Sequence, residues 1–174
     1  MKTKKLSWQT AAMFLIAALA LFARIYQFGR IPGDINQDEA FAGYEAFSLL
    51  VSGKDSHGYS FPVYLTAWGS GMNALNSYLM IPFIALFGLR TWVIRLPQLI
   101  VGSLSIPVAY LTMKRLCDVK TALFSAFFLA IAPWHIMLSR WGLESNLAPG
   151  FLLFGFFFFL KGLDNSRFFM LSAR

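Results

Sequence analysis

The stretch FLLFGFFFFL, residues 151–160, consists of phenylalanine, leucine and a single glycine. A run this apolar is unfavourable in contact with water, so it indicates a helix that is buried in lipid or protein. The whole chain follows the same trend, because its 174 residues are 57% hydrophobic and only 13% charged. A soluble domain carries about 25% charged residues. The sequence therefore predicts an integral membrane protein.

Further apolar segments extend this prediction to one all-α membrane domain over residues 1–174. Four segments are predicted to span the membrane as helices: 8–28, 96–113, 121–138 and 147–163. A fifth, 74–89, would form only about 24 Å of helix against a hydrocarbon core of about 30 Å, and is predicted to be re-entrant or interfacial. The first segment could also be read as a cleaved secretory signal, but its length favours a retained span.

The basic residues set the predicted orientation. They cluster at the ends of apolar segments, which is typical of the cytoplasmic flanks of spans, so the net charge of +7 does not indicate nucleic-acid binding. If 74–89 does not span, nine Lys and Arg residues lie inside and six outside. If it does span, six lie inside and nine outside. The positive-inside rule favours the first arrangement, with a cytoplasmic N-terminus.

This orientation gathers acid on the outer side of the membrane. Six of the eight carboxylates fall in a long first outer loop, 29–95, or in a short second one near 139–146: Asp34, Asp38, Glu39, Glu45, Asp55 and Glu144. The positive-inside rule scarcely depends on Asp and Glu, so this clustering is a separate observation. It predicts an acidic site at the outer surface.

The first outer loop is predicted to contain an amphipathic helix over 37–52 that lies on the membrane surface. Asn36 and Glu39 have the spacing of a capping box, and Gly53 is a suitable C-cap. Glu39 could therefore simply close the helix, and Asp38 could simply favour the positive end of the helix dipole. Alternatively, Asp38 is well placed to act as a general base. Glu45 is expected to be solvated.

The second outer loop offers two interpretations for Arg140 and Glu144, which are four residues apart. They could form an interfacial salt bridge. Alternatively, the guanidinium could bind a lipid phosphate, for which its geometry and permanent charge are suited, while Glu144 adds a carboxylate to the site begun by Asp38. His135, at the end of the preceding span, is expected to be hydrogen-bonded rather than catalytic.

Three stretches together resemble the GT-C superfamily of membrane glycosyltransferases. They are QDEAFAGYEAFSLLVSGKD (37–55), IPFIALFGLRTWVIRLPQLIVGSLSIPVAYLTMKRL (81–116) and AIAPWHIMLSRWGLESN (130–146). The closer resemblance is to the family 39 group, which includes the protein O-mannosyltransferases and the bacterial aminoarabinose transferases. The acidic pair after the first span, the arginine-leucine-proline element and the serine-arginine element before a glutamate follow the order of that family.

The resemblance implies transfer of a sugar from a polyprenyl-phosphate donor to an acceptor glycan, lipid or protein, on the extracytoplasmic face of a bacterial plasma membrane. It implies that Asp38 is the general base, that Glu39 is its neighbour in the site, and that Glu144 contributes from the second outer loop. Many relatives carry a lysine-proline or histidine-proline-proline element before the short apolar segment, but here that stretch reads GSGMNALNSYL (69–79) and has no lysine. Phosphate binding would then fall to Arg140, Arg95 or residues beyond this chain.

A divalent metal ion would fit such a site, and no other cofactor is expected. Family members usually run to several hundred residues, so the chain resembles the N-terminal portion of such an enzyme and is expected to be weakly active or inactive alone. The alternative is a non-catalytic lipid-binding or assembly subunit that retains the scaffold. A small transporter-like bundle is less favoured, because transporters place charge within their spans and these acids lie in loops.

Overall fold

The computed structural model describes residues 7–67 and 69–163. The basic residues at positions 2, 4, 5, 167 and 174, which enter the predicted orientation, lie outside this described part. Within it the chain forms eight α-helices and one antiparallel β-hairpin. In chain order they are α1 (Trp8–Ile25), α2 (Gln37–Ser52), β1 (Tyr64–Ala67), β2 (Ser70–Asn73), α3 (Leu75–Phe87), α4 (Thr91–Ile94), α5 (Leu96–Leu116), α6 (Val119–Ile131), α7 (Pro133–Leu138) and α8 (Ala148–Leu163).

Within residues 7–67 and 69–163, three helical stretches are long and apolar enough to cross a membrane: Trp8–Ile25, Leu96–Leu116 and Glu144–Leu163. The last consists of a 3₁₀ turn, Glu144–Leu147, followed directly by α8. Two shorter apolar helices, α3 and α6, accompany them. The predicted class, an all-α integral membrane protein, is confirmed.

The predicted span 121–138 differs from the structure, because the chain breaks between α6 and α7. Pro133 has no N–H to donate to the carbonyl four residues earlier, and Ala132 before it is extended, with φ −61° and ψ 118°. The uninterrupted part, α6, is only 13 residues long. The apolar run in the sequence therefore corresponds to one short helix and one further turn and a half.

Arg24, which is fully buried near the end of α1, donates hydrogen bonds to backbone carbonyls at this break. Its Nη1 donates to the carbonyl of Ala130 at 3.2 Å and its Nη2 to that of Leu129 at 3.4 Å, which is the acceptor that Pro133 leaves free. Its Nη2 also lies 2.7 Å from Nδ1 of His135. The expectation that His135 is hydrogen-bonded is confirmed, whereas the arginine partner was not foreseen.

The membrane-embedded core lies between α1, α5 and α6. Small side chains of α6 pack there against larger ones of α5, and the buried set comprises Ala20, Ile106, Tyr110, Ala122, Leu123, Ala126 and Ala130. Small residues let helix backbones approach closely in a membrane, where van der Waals contact supports association. Helix α8 packs on α5 in the same way, since a Cβ at Gly150 would lie 2.3 Å from Val101.

The outer part of the molecule is built on α2 and α3, which bury small residues such as Ala42 and Ala46 against Met80 and Ile84. Helix α2 occupies the residues predicted for it, and its N-terminus carries the capping box of Asn36 and Glu39. Its larger apolar residues, among them Tyr44, Phe47 and Val51, remain exposed. The helix therefore presents its small residues to the protein and its larger apolar ones outward.

Glu45 corrects one expectation, because it is only 1% exposed rather than solvated. The connector after α2 folds back onto the helix, and the backbone N–H of Ser56 donates to Glu45 Oε2 at 2.9 Å. The Ser56 hydroxyl donates to the other carboxylate oxygen. Glu45 thus fastens the connector to α2, and the sequence alone did not show that this connector returns.

The sequence analysis did not predict the hairpin of β1 and β2. Tyr64 pairs with Asn73 and Ala67 with Ser70 in an antiparallel register. The ring of Tyr64 lies across Gly71 so closely that a Cβ there would sit 1.9 Å from the ring Cζ. A side chain at position 71 would have to displace the ring of Tyr64, so the small size of Gly71 lets the hairpin pack against its own aromatic residue.

Candidate functional site

A cavity of about 290 Å³ opens where α2, the hairpin and the second outer loop meet. Its lining residues are Asp38, Ala67, Ser70, Gly71, Met72, Leu143, Glu144 and Ser145. Two of them, Asp38 and Glu144, are carboxylates from the two separate acidic elements that the sequence singled out. The fold therefore brings these two predicted site residues together.

Asp38 lies in the first turn of α2, where its backbone N–H donates to the side chain of the N-cap residue Asn36 at 2.8 Å. The side chain is half-buried at the cavity wall. Among the described residues, none donates a hydrogen bond to its carboxylate. The position at a helix N-terminus is one that favours a carboxylate, and this carboxylate lines the cavity without a donor from the described part of the chain.

Glu39 is placed differently, although it is adjacent in sequence. It is 0% exposed and forms a two-pronged ion pair with Arg95, whose Nε and Nη2 each lie 2.8 Å from one carboxylate oxygen. Backbone N–H groups of Gly142 and Asn36 donate to it at 2.5 Å and 3.1 Å. Burial alone would raise the pKa of Glu39, but these hydrogen bonds and the charge of Arg95 outweigh burial and hold the pKa below its usual value. Glu39 is directed away from the cavity and fully engaged.

The loop that carries Glu144 is held by three different elements of the fold. Glu39 of α2 accepts from the N–H of Gly142, and the Asn76 amide of α3 donates to the carbonyl of Gly142 at 2.9 Å. Gln98 of α5 donates to the carbonyl of Leu143 at 3.1 Å and to Asn76 at 2.8 Å. Asn76 and Gln98 were missed as site residues. The sequence does contain a feature that could have identified them, because each is an uncharged polar residue within an apolar helix.

Glu144 completes the acidic pair. The backbone N–H of Asn73, at the end of β2, donates a hydrogen bond to its carboxylate, and the negative charge of Asp38 is close enough to act on it. Its Oε2 is buried and has no hydrogen-bond partner among the described residues. The hairpin therefore contacts Glu144, which lines the cavity although its Oε2 is itself buried.

Arg140 does not reach this cavity. It is 5% exposed and donates to three carbonyls at the end of α1 and just beyond: Ala23 at 3.0 Å, Tyr26 at 2.7 Å and Ile31 at 3.1 Å. Burial, and secondarily the charge of Arg95, lower the pKa of Arg140. The sequence suggested either a salt bridge to Glu144 or a phosphate site for Arg140. Its contacts are with three backbone carbonyls. The guanidinium instead caps a helix.

Arg95 is likewise occupied, by Glu39 and by the carbonyls of Pro32 at 2.8 Å and Asp34 at 3.0 Å. Neither arginine expected to bind a phosphate therefore lines the cavity, whose described wall carries no Lys or Arg. Within the described ranges, no three His, Cys, Asp or Glu side chains gather as a metal-binding group. The geometry thus separates the two carboxylates that line the cavity, Asp38 and Glu144, from a buried network that holds the start of α2 and the loop of Glu144.

Comparison with known proteins adds one match. The family model described as dolichyl-phosphate-mannose-protein mannosyltransferase matches residues 74–173, which is more than half of the chain. The chain belongs to this family. It is therefore a membrane glycosyltransferase of the GT-C type. No curated protein and no solved structure matches the chain.

The region that matches the mannosyltransferase family covers one side of the cavity. It includes the second outer loop with Glu144, and the polar residues Asn76 and Gln98 that hold this loop. It does not include α2, which carries Asp38 and Glu39. The assignment of Asp38 to the site consequently rests on the cavity that it shares with Glu144, and not on the family match.

Proposed function

We propose that this cavity is the acceptor side of a family 39-like glycosyltransferase site. The site transfers a sugar from a polyprenyl-phosphate-linked donor to an acceptor hydroxyl on the extracytoplasmic face. One observation carries the proposal: Asp38 and Glu144, from two distant loops, line the same cavity. Membership of a membrane glycosyltransferase family supplies the class of reaction.

In this proposal Asp38 is the general base. An acceptor hydroxyl is a poor nucleophile, and an ionised carboxylate within hydrogen-bond reach of it can take its proton in the transition state. The acceptor oxygen then bonds to the anomeric carbon as the bond from that carbon to the phosphate oxygen breaks. The configuration inverts, and polyprenyl phosphate leaves with the electron pair. Asp38 suits this role because its carboxylate is not engaged within the described part of the chain.

Glu144 has a supporting role in the same cavity. Its carboxylate belongs to the cavity lining and can accept a hydrogen bond from a substrate hydroxyl, which would orient the sugar or the acceptor. The phosphate of the donor needs positive charge as it leaves. A divalent metal ion held by Asp38 and Glu144 would supply that charge, since carboxylate oxygens are the ligands that hard cations prefer. Glu39 and Arg95 fix the geometry and do not touch the substrate.

The test is transfer of sugar from a labelled polyprenyl-phosphate donor by membranes that contain Asp38→Asn or Glu144→Gln. Loss of a general base lowers the rate by about 10²- to 10⁴-fold, so Asp38→Asn should fall in that range. Asp34→Asn is the matched control, because Asp34 lies exposed in the same loop and outside the cavity wall. Transfer by Asp38→Asn within about threefold of the control would overturn the proposal.

A second candidate is a non-catalytic lipid-binding or assembly subunit on the same scaffold. The described wall of the cavity carries no Lys or Arg, which favours this candidate because a leaving phosphate needs a cation. It predicts that Asp38→Asn leaves cellular function unchanged while substitutions in the buried network do not. The same pair of variants therefore separates the two candidates.

A further inference from the structure

A second cavity of about 490 Å³ lies in a cleft between α1 and α6. It shares no lining residue with the acidic cavity. Its lining residues are Trp8, Ile16, Lys120, Leu123, Phe124 and Phe127. Pockets that bind small molecules measure about 300–1,000 Å³, so the cleft is large enough for a ligand. Of its lining residues, Lys120 alone is charged.

Positive charge concentrates at the end of the cleft where Lys120 lies. Helices α5 and α6 are joined there by a short turn, and α5 ends with Lys114 and Arg115. The single acid of the turn, Asp118, is used as the N-cap of α6 and accepts from the backbone N–H groups of Lys120 at 2.7 Å and Thr121 at 2.9 Å. The two helix ends and the turn between them thus carry three basic residues against one acid, whose charge also acts on Lys120, while the walls of the cleft are apolar and aromatic.

We propose that this cleft binds an anionic phospholipid, with one acyl chain between α1 and α6 and the phosphate at Lys120. A Lys ammonium is a compact charge that binds phosphate, and basic pockets between membrane helices bind anionic head groups. In the predicted orientation this end faces the cytoplasmic leaflet, the side whose surface attracts basic residues. Trp8, 60% exposed at the same end, suits the membrane interface.

Charge also distinguishes two candidate occupants of the cleft, namely a lipid and the N-terminal residues 1–6 of this chain. The sequence MKTKKL at positions 1–6 carries three lysines, so it would bring positive charge to an end that is already basic. An anionic lipid instead brings negative charge to Lys120, and its acyl chain packs against the apolar walls of the cleft. The inference is independent of the proposed glycosyltransferase function, since none of the cleft residues lines the acidic cavity.

The test uses quenching of tryptophan fluorescence by brominated lipids in phosphatidylcholine vesicles that contain the full chain. The Trp8 signal is obtained as the difference between the wild type and Trp8→Phe. We expect a minor fraction of brominated phosphatidylglycerol to quench this signal more strongly than the same fraction of brominated phosphatidylcholine. One Lys near a membrane surface contributes about fivefold in lipid affinity, so Lys120→Gln should lower the preference by about that factor.

Lys161→Gln is the matched control, because Lys161 is an exposed lysine at the end of α8 and not part of the cleft. It should retain the preference for the anionic lipid. Ile16→Phe, which narrows the cleft without changing charge, should weaken quenching by the anionic lipid. Equal quenching of Trp8 by both lipids, or a preference that Lys120→Gln leaves intact, would show ordinary annular lipid and overturn the inference. Helix content by circular dichroism establishes that each variant is folded.

Discussion

The ion pair between Glu39 and Arg95 allows a quantitative test of which acidic residue is structural. Both side chains are 0% exposed, and their two contacts are each 2.8 Å. In Glu39→Gln the guanidinium of Arg95 stays buried without its counter-charge. Breaking a buried pair in this way costs about 3–5 kcal/mol. Asp38→Asn should cost under about 1 kcal/mol, the scale of a first-turn interaction with the helix dipole.

The assay is unfolding in mixed micelles, monitored by far-ultraviolet circular dichroism, for Glu39→Gln, Arg95→Met and the double variant. The double variant leaves no uncompensated charge, so it should be destabilised by less than the sum of the single variants. The coupling energy should reach the upper part of the range of about 0.5–3 kcal/mol that is found for residues in contact. A cost below about 1 kcal/mol for Glu39→Gln, together with lost transfer, would refute the structural role and make Glu39 part of the chemistry.

Three further predictions concern the same region. The contacts of Glu39 hold its pKa below the value it has in the unfolded chain. Its stabilisation should therefore be complete above that pH and be lost as pH falls through the lower folded-state pKa, which acid titration of the unfolding free energy would detect. Arg140→Lys should cost more than about 2 kcal/mol in unfolding assays, because lysine cannot reach all three carbonyls, whereas Arg30→Lys, at an exposed arginine, should cost little. Retained stability and activity in Arg140→Lys would instead favour a simple phosphate contact. Gly71→Ala should displace the ring of Tyr64 and cost about 1–3 kcal/mol, with reduced sugar transfer; unchanged transfer would remove the hairpin from the site.

Local patterns in the sequence predicted local structure well. The spacing of Asn36 and Glu39 predicted the capping box, and Gly53 ends the helix in the left-handed region with φ 70°. Both depend on residues within one or two turns of each other. The hydrophobic run 121–138 was less informative, because hydropathy does not record that Pro133 interrupts the hydrogen-bond ladder.

The long-range partners could not be read from the sequence. Nothing in the spacing of Glu39 and Arg95, or of Glu45 and Ser56, shows that these residues meet, since their contacts depend on how α2 packs on the rest of the fold. Arg140 illustrates the difficulty most clearly. Its interfacial position suggested a lipid phosphate, but a helix end that leaves carbonyls without donors offers the same guanidinium a closer set of acceptors.

The buried arginine of α1 has a consequence for how the chain is assembled. Apart from the carbonyl of Ala20 in its own helix, the partners of Arg24 lie between residues 129 and 139, which emerge from the ribosome more than a hundred residues later. An arginine at the centre of a lone membrane helix costs about 2.5–3.5 kcal/mol on translocon scales, less towards its ends. Because Arg24 lies at the end of α1, we expect its guanidinium to stay at the water boundary while the rest of the chain is made. The folded contacts of Arg24 can form only after residues 129–139 have been synthesised, so burial of this charge is expected to be a late step of assembly.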